Sequence, residues 1–324
     1  MCDNNQAGIY TVKWELSPMK SGKVKILESK NPDNFDQAVP VNEKNIAEGF
    51  STIVRKDEQR RFFKLIFNNK CTSIIGERHI ITDKIENLRD LGGYYKNKTK
   101  QVQWGKIYRS GTLCCSSNKD KTILDSLHLQ TIIDLRNSPE LGGDCPLYEI
   151  SHVKTISLHK MPVKMLYDKI IAGQMMKGDV LVSLQDMYAQ IIEEDTTSLR
   201  KIFDFLVDGK NYPLLFYCGL GKDYSGIVSM LILGALDIDR EQIFNDYMLS
   251  NQYIDFQKLA IHPTDFEEES KQEALTTLLR ANERVFDFVY DKIERDYGSI
   301  PNYLETKLHF AGKKREKLAE ILLY

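Results

Sequence analysis

Along the first 80 residues, apolar and polar positions alternate with a period of two. In YTVKWEL, Tyr10, Val12, Trp14 and Leu16 fall on one side of an extended chain, and KVKILES and RFFKLIFNN repeat the pattern. That period is the one expected of half-buried strands. Turn-rich stretches, NPDN at 31–34 and KDEQR at 56–60, separate these segments. Residues 1–80 are therefore predicted to form a small all-β, sandwich-like module. From about Thr82 the pattern changes to short apolar runs alternating with helical stretches, which predicts an α/β layer fold over 81–324. QTIIDL (130–135) and YPLLFYC (212–218) read as buried strands. Between them, 163–208 is helical, with Leu166, Ile170 and Ile171 followed by Leu184, Met187, Tyr188 and Ile191. After 226 come IVSMLILGAL, REQIFNDYML and one long helical run, EALTTLLRANERVFDFVYDKIERDY. Leu278, Leu279, Val285, Phe286, Phe288, Val289 and Ile293 make its apolar stripe. Gly298 to Ile300 read as a break and cap, with Pro301 suited to the next helix's first turn.

Composition narrows the classes. A chain of 324 residues with 42% hydrophobic content can bury a large core, and a formal charge of −2 gives no global attraction to nucleic acid or to an anionic membrane. Any anion must be recognised locally. The six cysteines, at 2, 71, 114, 115, 145 and 218, lack paired metal-ligand spacing, and none of the six histidines has a partner four residues on. No metal or cofactor is expected. A reducing compartment follows from the cysteine pattern. No signal segment or membrane span is visible, so the cytoplasm is expected, with a lipoprotein-type start at Cys2 as the minor alternative.

The candidate chemistry sits where the second buried strand ends. Cys218 is followed by Gly219, Leu220, Gly221, Lys222, Asp223, Tyr224, Ser225 and Gly226, and then by an apolar helix. A strand-loop-helix unit of this kind can turn successive N–H groups inward and aim a helix N-terminus at the same point, binding an anion without surplus basic side chains. The same field favours a thiolate. The plainer reading makes Cys218 a small hydrophobe closing a core strand, and Lys222 and Asp223 a solvated surface pair.

CGLGKDYSG resembles the HCxAGKDRTG signature of the bacterial tyrosine phosphatase-like family. Other blocks agree in order: NLRDLGGY (87–94), WGKIYRSGTL (104–113), TIIDLRNSPE (131–140) and YGSIPNYL (297–304), so the resemblance covers about 78–324. It implies a cysteine-phosphatase fold, a central sheet flanked by helices. It also implies hydrolysis of phosphate monoesters on phosphotyrosine, sometimes phosphoserine or phosphothreonine, and sometimes phosphoinositides. By that resemblance Cys218 matches the nucleophile that forms a cysteinyl-phosphate, and Asp223 the general acid. Gly219, Leu220, Gly221, Lys222, Tyr224 and Ser225 match phosphate-binding positions. Lys222 corresponds to a lysine linked to highly charged substrates, and Ser225 keeps a hydroxyl for the sulfur. Tyr224 departs from the family, standing where a phosphate-gripping arginine belongs, and Tyr217 replaces the histidine before the nucleophile. A phenol has one neutral donor in place of a charged bidentate fork, which predicts reduced turnover. Arg89, Arg109 and Arg136 are either substitutes for the missing cation or structural ion-pairing residues. Two functions remain: a phosphatase acting on a phosphorylated protein or phosphoinositide, and a pseudophosphatase that binds a phosphorylated partner. Neither involves nucleic acid or stable membrane insertion.

Overall fold

The computed structural model describes every residue except 1, 5–7, 17–20, 56–58, 98, 114–116, 137–152, 159–162 and 260–261. Cys114, Cys115, Cys145 and residues 137–140 of the TIIDLRNSPE block thus lie outside the described residues. The chain divides into two compact units.

The first unit comprises residues 1–80, 90–107 and 323–324. Its strands are β1 (Cys2–Asn4), β2 (Ile9–Lys13), β3 (Lys23–Ser29), β4 (Pro40–Asn45), β5 (Phe50–Val54), β6 (Phe62–Phe67) and β7 (Cys71–Gly76). They form two antiparallel sheets, in the orders β1-β2-β5 and β4-β3-β6-β7. The alternation read from the sequence decides the inner faces. Tyr10, Val12 and Ile53 of one sheet share a core with Val24, Ile26, Phe63, Leu65 and Phe67 of the other, which makes the pair a sandwich. Trp14 lies past the end of β2 and packs at the edge of this core, its indole N–H donating to the Ile46 carbonyl at 2.8 Å. Phe62 faces the opposite way from Phe63 and clusters with Phe35 and Trp104. β9 (Tyr95–Lys96) and β10 (Lys100–Gln101) form a small hairpin in the same unit.

The second unit, residues 81–89 and 108–322, holds most of a five-stranded sheet. The remaining strands are β8 (Arg89–Asp90), β11 (Ile107–Ser110), β12 (Thr131–Asp134), β13 (Val153–Thr155) and β14 (Leu214–Tyr217), in the order β13-β12-β14-β11-β8. The chain passes between the units within β8 and β11. β12 runs parallel to both β13 and β14. Ile132, Ile133 and all four residues of β14 are buried, as continuous apolar runs require in a sheet covered on both faces.

The helices correct the sequence reading in two places. The run beginning at 273 is two helices, Glu269–Leu279 and Glu283–Tyr297. Asn282 caps the second by accepting from Arg284 N at 2.9 Å, and the Asn251 amide holds both backbone groups of Ala281. Phe288 is only half-buried, so the stripe there is Val285, Phe286, Val289, Tyr290 and Ile293. Gly298 terminates this helix in the left-handed region at φ 80°, and Ser299 caps the next helix, with Pro301 in its first turn. No helix among the described residues is long and apolar enough to cross a membrane.

Candidate active site

The apolar run of β14 delivers Cys218 to the C-terminal end of the sheet's central strand, where it is only 2% exposed. The loop that follows is held by its carbonyls. Thr112 N donates to Gly219 O at 2.8 Å. Asn87 Nδ2 donates to Leu220 O at 3.1 Å and Gly221 O at 2.8 Å. Arg109 Nη2 reaches Gly221 O at 2.8 Å and Lys222 O at 3.3 Å. A peptide whose carbonyl points one way presents its N–H the other way. Among the described residues, no group accepts from the backbone N–H groups of Gly219 through Asp223. These donors, together with the start of the Tyr224–Ala235 helix, form a nest with partial positive charge. Gly221 makes this path possible. Its φ is +67°, and a Cβ there would lie 2.4 Å from the Ser110 carbonyl carbon.

Beneath the loop lies a buried charged cluster. Asp246, on the Arg240–Met248 helix, accepts from Arg109 Nη1 at 2.7 Å and from Arg89 Nε at 3.3 Å. Arg89 also donates to the Asp246 carbonyl at 2.9 Å, to Ser250 Oγ at 3.2 Å and to the Asn87 side chain. Arg109 extends further, to Ser225 Oγ at 3.3 Å, and Ser225 Oγ is 3.5 Å from Cys218 Sγ. Burial pulls the Arg109 guanidinium down to about 10, with neighbouring Arg89 acting the same way and Asp246 and Cys218 opposing. Both arginines are thus inside the protein, gripping the carbonyl side of the loop.

Lys222 and Asp223 form no surface pair. Lys222 is 1% exposed, and its Nζ lies 2.5 Å from Asp223 Oδ1. Burial works against its charge, but Asp223, Tyr247 and Cys218 outweigh that and hold the ammonium above its ordinary value. Tyr188 donates to the same Asp223 oxygen at 2.5 Å and lies 3.3 Å from the Tyr247 hydroxyl. Burial first, and then Asp223, pushes the Tyr188 phenol well above its ordinary range. Both Asp223 hydrogen bonds run to Oδ1. Tyr188 and Tyr247 were not singled out from sequence as site residues. Tyr188 carries only a core-stripe signal there, since its partner is 35 positions away.

Tyr224 is buried as the first residue of its helix. Tyr217 donates to Asp134 Oδ2 at 2.7 Å. Arg136 forks onto Asp134 at 2.9 and 2.8 Å, donates to Thr112 Oγ1 at 3.1 Å and has its guanidinium carbon 5.1 Å from the Tyr217 ring centre. The three arginines are therefore all engaged in ion pairs. Arg109 is hydrogen-bonded to Ser225, whose hydroxyl touches Cys218.

The chain has distant relatives of known classification. It is 26% identical over 251 residues to a protein of Cupriavidus necator named as a candidate tyrosine-protein phosphatase, covering 74% of this chain and 87% of that one. It is 25% identical over 257 residues to the triple specificity protein phosphatase PtpB of Mycobacterium tuberculosis, covering 67% of this chain and 90% of that one. A structural comparison aligns it with the core catalytic domain of the PP-IP phosphatase Siw14 from S. cerevisiae at a TM-score of 0.29 and 13% identity, over 59% of this chain and 88% of that one. The model of the tyrosine phosphatase family matches residues 80–324, and the chain belongs to that family of phosphoric monoester hydrolases.

Proposed function

We propose that the protein hydrolyses phosphate monoesters through a cysteinyl-phosphate on Cys218. The observation that carries this reading is the nest of N–H groups from Gly219 to Asp223, which no group among the described residues accepts from, at the end of the strand bearing Cys218. In the proposed reaction the Cys218 thiolate attacks phosphorus in line and the ester P–O bond breaks. The leaving oxygen takes a proton from Asp223, whose Oδ2 is the oxygen not held by Lys222 or Tyr188. Water then attacks the phosphocysteine, passing a proton to the Asp223 carboxylate as the S–P bond breaks, which releases phosphate and regenerates both the thiolate and the acid. The amides of Gly219, Leu220, Gly221 and Lys222 donate to the equatorial oxygens, and Ser225 steadies the sulfur as it leaves.

Phosphotyrosine is the favoured substrate class. The lysine that the family resemblance links to highly charged substrates is buried here against Asp223, so a polyphosphorylated headgroup would lose that cation. The resemblance gives phosphotyrosine, phosphoserine or phosphothreonine, and phosphoinositide as the classes to compare, and one relative is named a triple specificity protein phosphatase. The reaction needs a reduced thiol, and Cys2, Cys71 and Cys218 are all unbridged, in keeping with a cytoplasmic setting. The second reading, a pseudophosphatase that retains a phosphorylated partner, is favoured by Tyr224 at the arginine's position. Rapid quench with an aryl phosphate separates the two. The phosphatase reading expects one equivalent of leaving group released ahead of steady state and no release in Cys218→Ser. Tight binding of a phosphopeptide with no release from either protein would leave the pseudophosphatase.

A further inference from the structure

The charges around Cys218 do not balance. On the loop, Lys222 is paired with Asp223. On the sheet, Arg136 is paired with Asp134, which also accepts from Tyr217. Behind β11, Arg89 and Arg109 share Asp246, the one carboxylate among the described residues that is hydrogen-bonded to either. Arg89 and Arg109 are 0% exposed and Asp246 is 1% exposed. Two guanidinium groups and one carboxylate leave an unscreened positive charge, which is costly unless an anion lies within reach. The loop carbonyls that Arg109 grips supply dipoles but no full charge. On the loop side, Arg109 reaches the ionisable Cys218 through the Ser225 hydroxyl.

We propose that the Cys218 thiolate is the anion that balances this buried excess, with Arg109 acting on it as a positioning residue through the Ser225 hydroxyl. A guanidinium N–H can only donate, so Arg109 occupies an acceptor site on Ser225 Oγ and leaves the hydroxyl proton to be given to the sulfur. Arg109 thus supplies from beneath the loop the thiolate-stabilising part of what a loop arginine would provide, while the bidentate grip on phosphate stays absent at Tyr224. The proposal builds on the phosphatase reading for the identity of the nucleophile, but it concerns the resting thiol and not turnover.

The test is the pH dependence of Cys218 alkylation by iodoacetamide in the full chain, followed by peptide mapping so that other thiols do not contribute. In the parent, the inflection should lie at least about one pH unit below the ordinary thiol value of about 8.5. Arg109→Gln should raise it by about one unit or more, and Arg109→Lys should restore part of the difference. Asp246→Asn, which removes the carboxylate that both arginines share and keeps the side chain's shape, should move the inflection further down. A merely structural cluster would not give opposite signs. An ordinary inflection in the parent, or an upward or absent shift in Asp246→Asn, would overturn the proposal, and that arm remains informative if Arg109→Gln fails to fold. A depressed inflection without a burst of leaving group would remove the phosphatase reading and leave the charge assignment standing. A burst with an ordinary inflection would do the reverse.

Discussion

Tyr224 and Tyr188 carry the sharpest residue-level expectations. Tyr224→Arg restores a charged fork where transition-state charge spreads, and removal of one oxyanion donor elsewhere costs ~10²–10³ in turnover. The substitution should raise kcat on an aryl phosphate by ~10² or more, about 3 kcal/mol of barrier, measured in steady state. Unchanged kcat in a folded variant would show that the loop does not need the fork. Tyr188→Phe deletes one hydrogen bond to Asp223 while leaving Lys222 in place. If Asp223 is the proton donor, the loss should be about 5-fold to 10-fold, near 1 kcal/mol, for a poor leaving group. It should nearly vanish for a good one that needs no proton. Equal losses for both leaving groups would point to a general disturbance of the loop. Cys218, Lys222, Asp223 and Ser225 were legible because they are contiguous, so one local motif places them together. Tyr188, Tyr247 and Asp246 were not, because they come from two helices distant from the loop in sequence and their periodicity records only that they face inward.

Among the elements, the loop depends on a backbone conformation more than on any side chain. Gly221→Ala would force a methyl group against the Ser110–Gly111 peptide at a φ that L-residues rarely adopt. Protection of Cys218 from alkylation by vanadate should be lost in this variant; retained protection would show that the nest tolerates a shifted path. The strands of the second unit were readable because a fully buried parallel strand leaves an apolar run, as LLFY does and as the Ile132–Ile133 pair of TIID does in shorter form. The helix pair around 280–282 was not. Apolar spacing continues across the break, and the break is fixed by Asn282 together with Asn251, some 30 residues earlier. Loss of the cap in Asn282→Ala should cost about 1 kcal/mol, read as a drop in chemical denaturation midpoint at constant slope.

For the whole molecule, the informative fact is that the first unit is discontinuous. A boundary at residue 80 is the natural reading of a pattern change, but compactness also assigns 90–107 and 323–324 to that unit. Trp104 contacts Phe62 and Phe35, Tyr324 N donates to Gln101 O at 2.9 Å, and Leu323 bridges to Val102. Local patterns could not show this, since such contacts join distant parts of the chain, as between Gln103 and Leu323, 220 positions apart. Both tryptophans of the chain, Trp14 and Trp104, lie in this unit, so tryptophan fluorescence excited selectively over tyrosine reports on it. Deleting Leu323 and Tyr324 should lower the fluorescence-detected unfolding midpoint more than the helical circular dichroism midpoint. Coincident shifts in both signals would show that the two units unfold as one. The same discontinuity bears on synthesis. A ribosome delivers the chain from its N-terminus, so the sandwich strands emerge first, while the residues that close their unit follow the whole of residues 108–322. The sandwich strands must therefore wait for Leu323 and Tyr324, and the β unit can reach its final form only after residues 108–322 have been made.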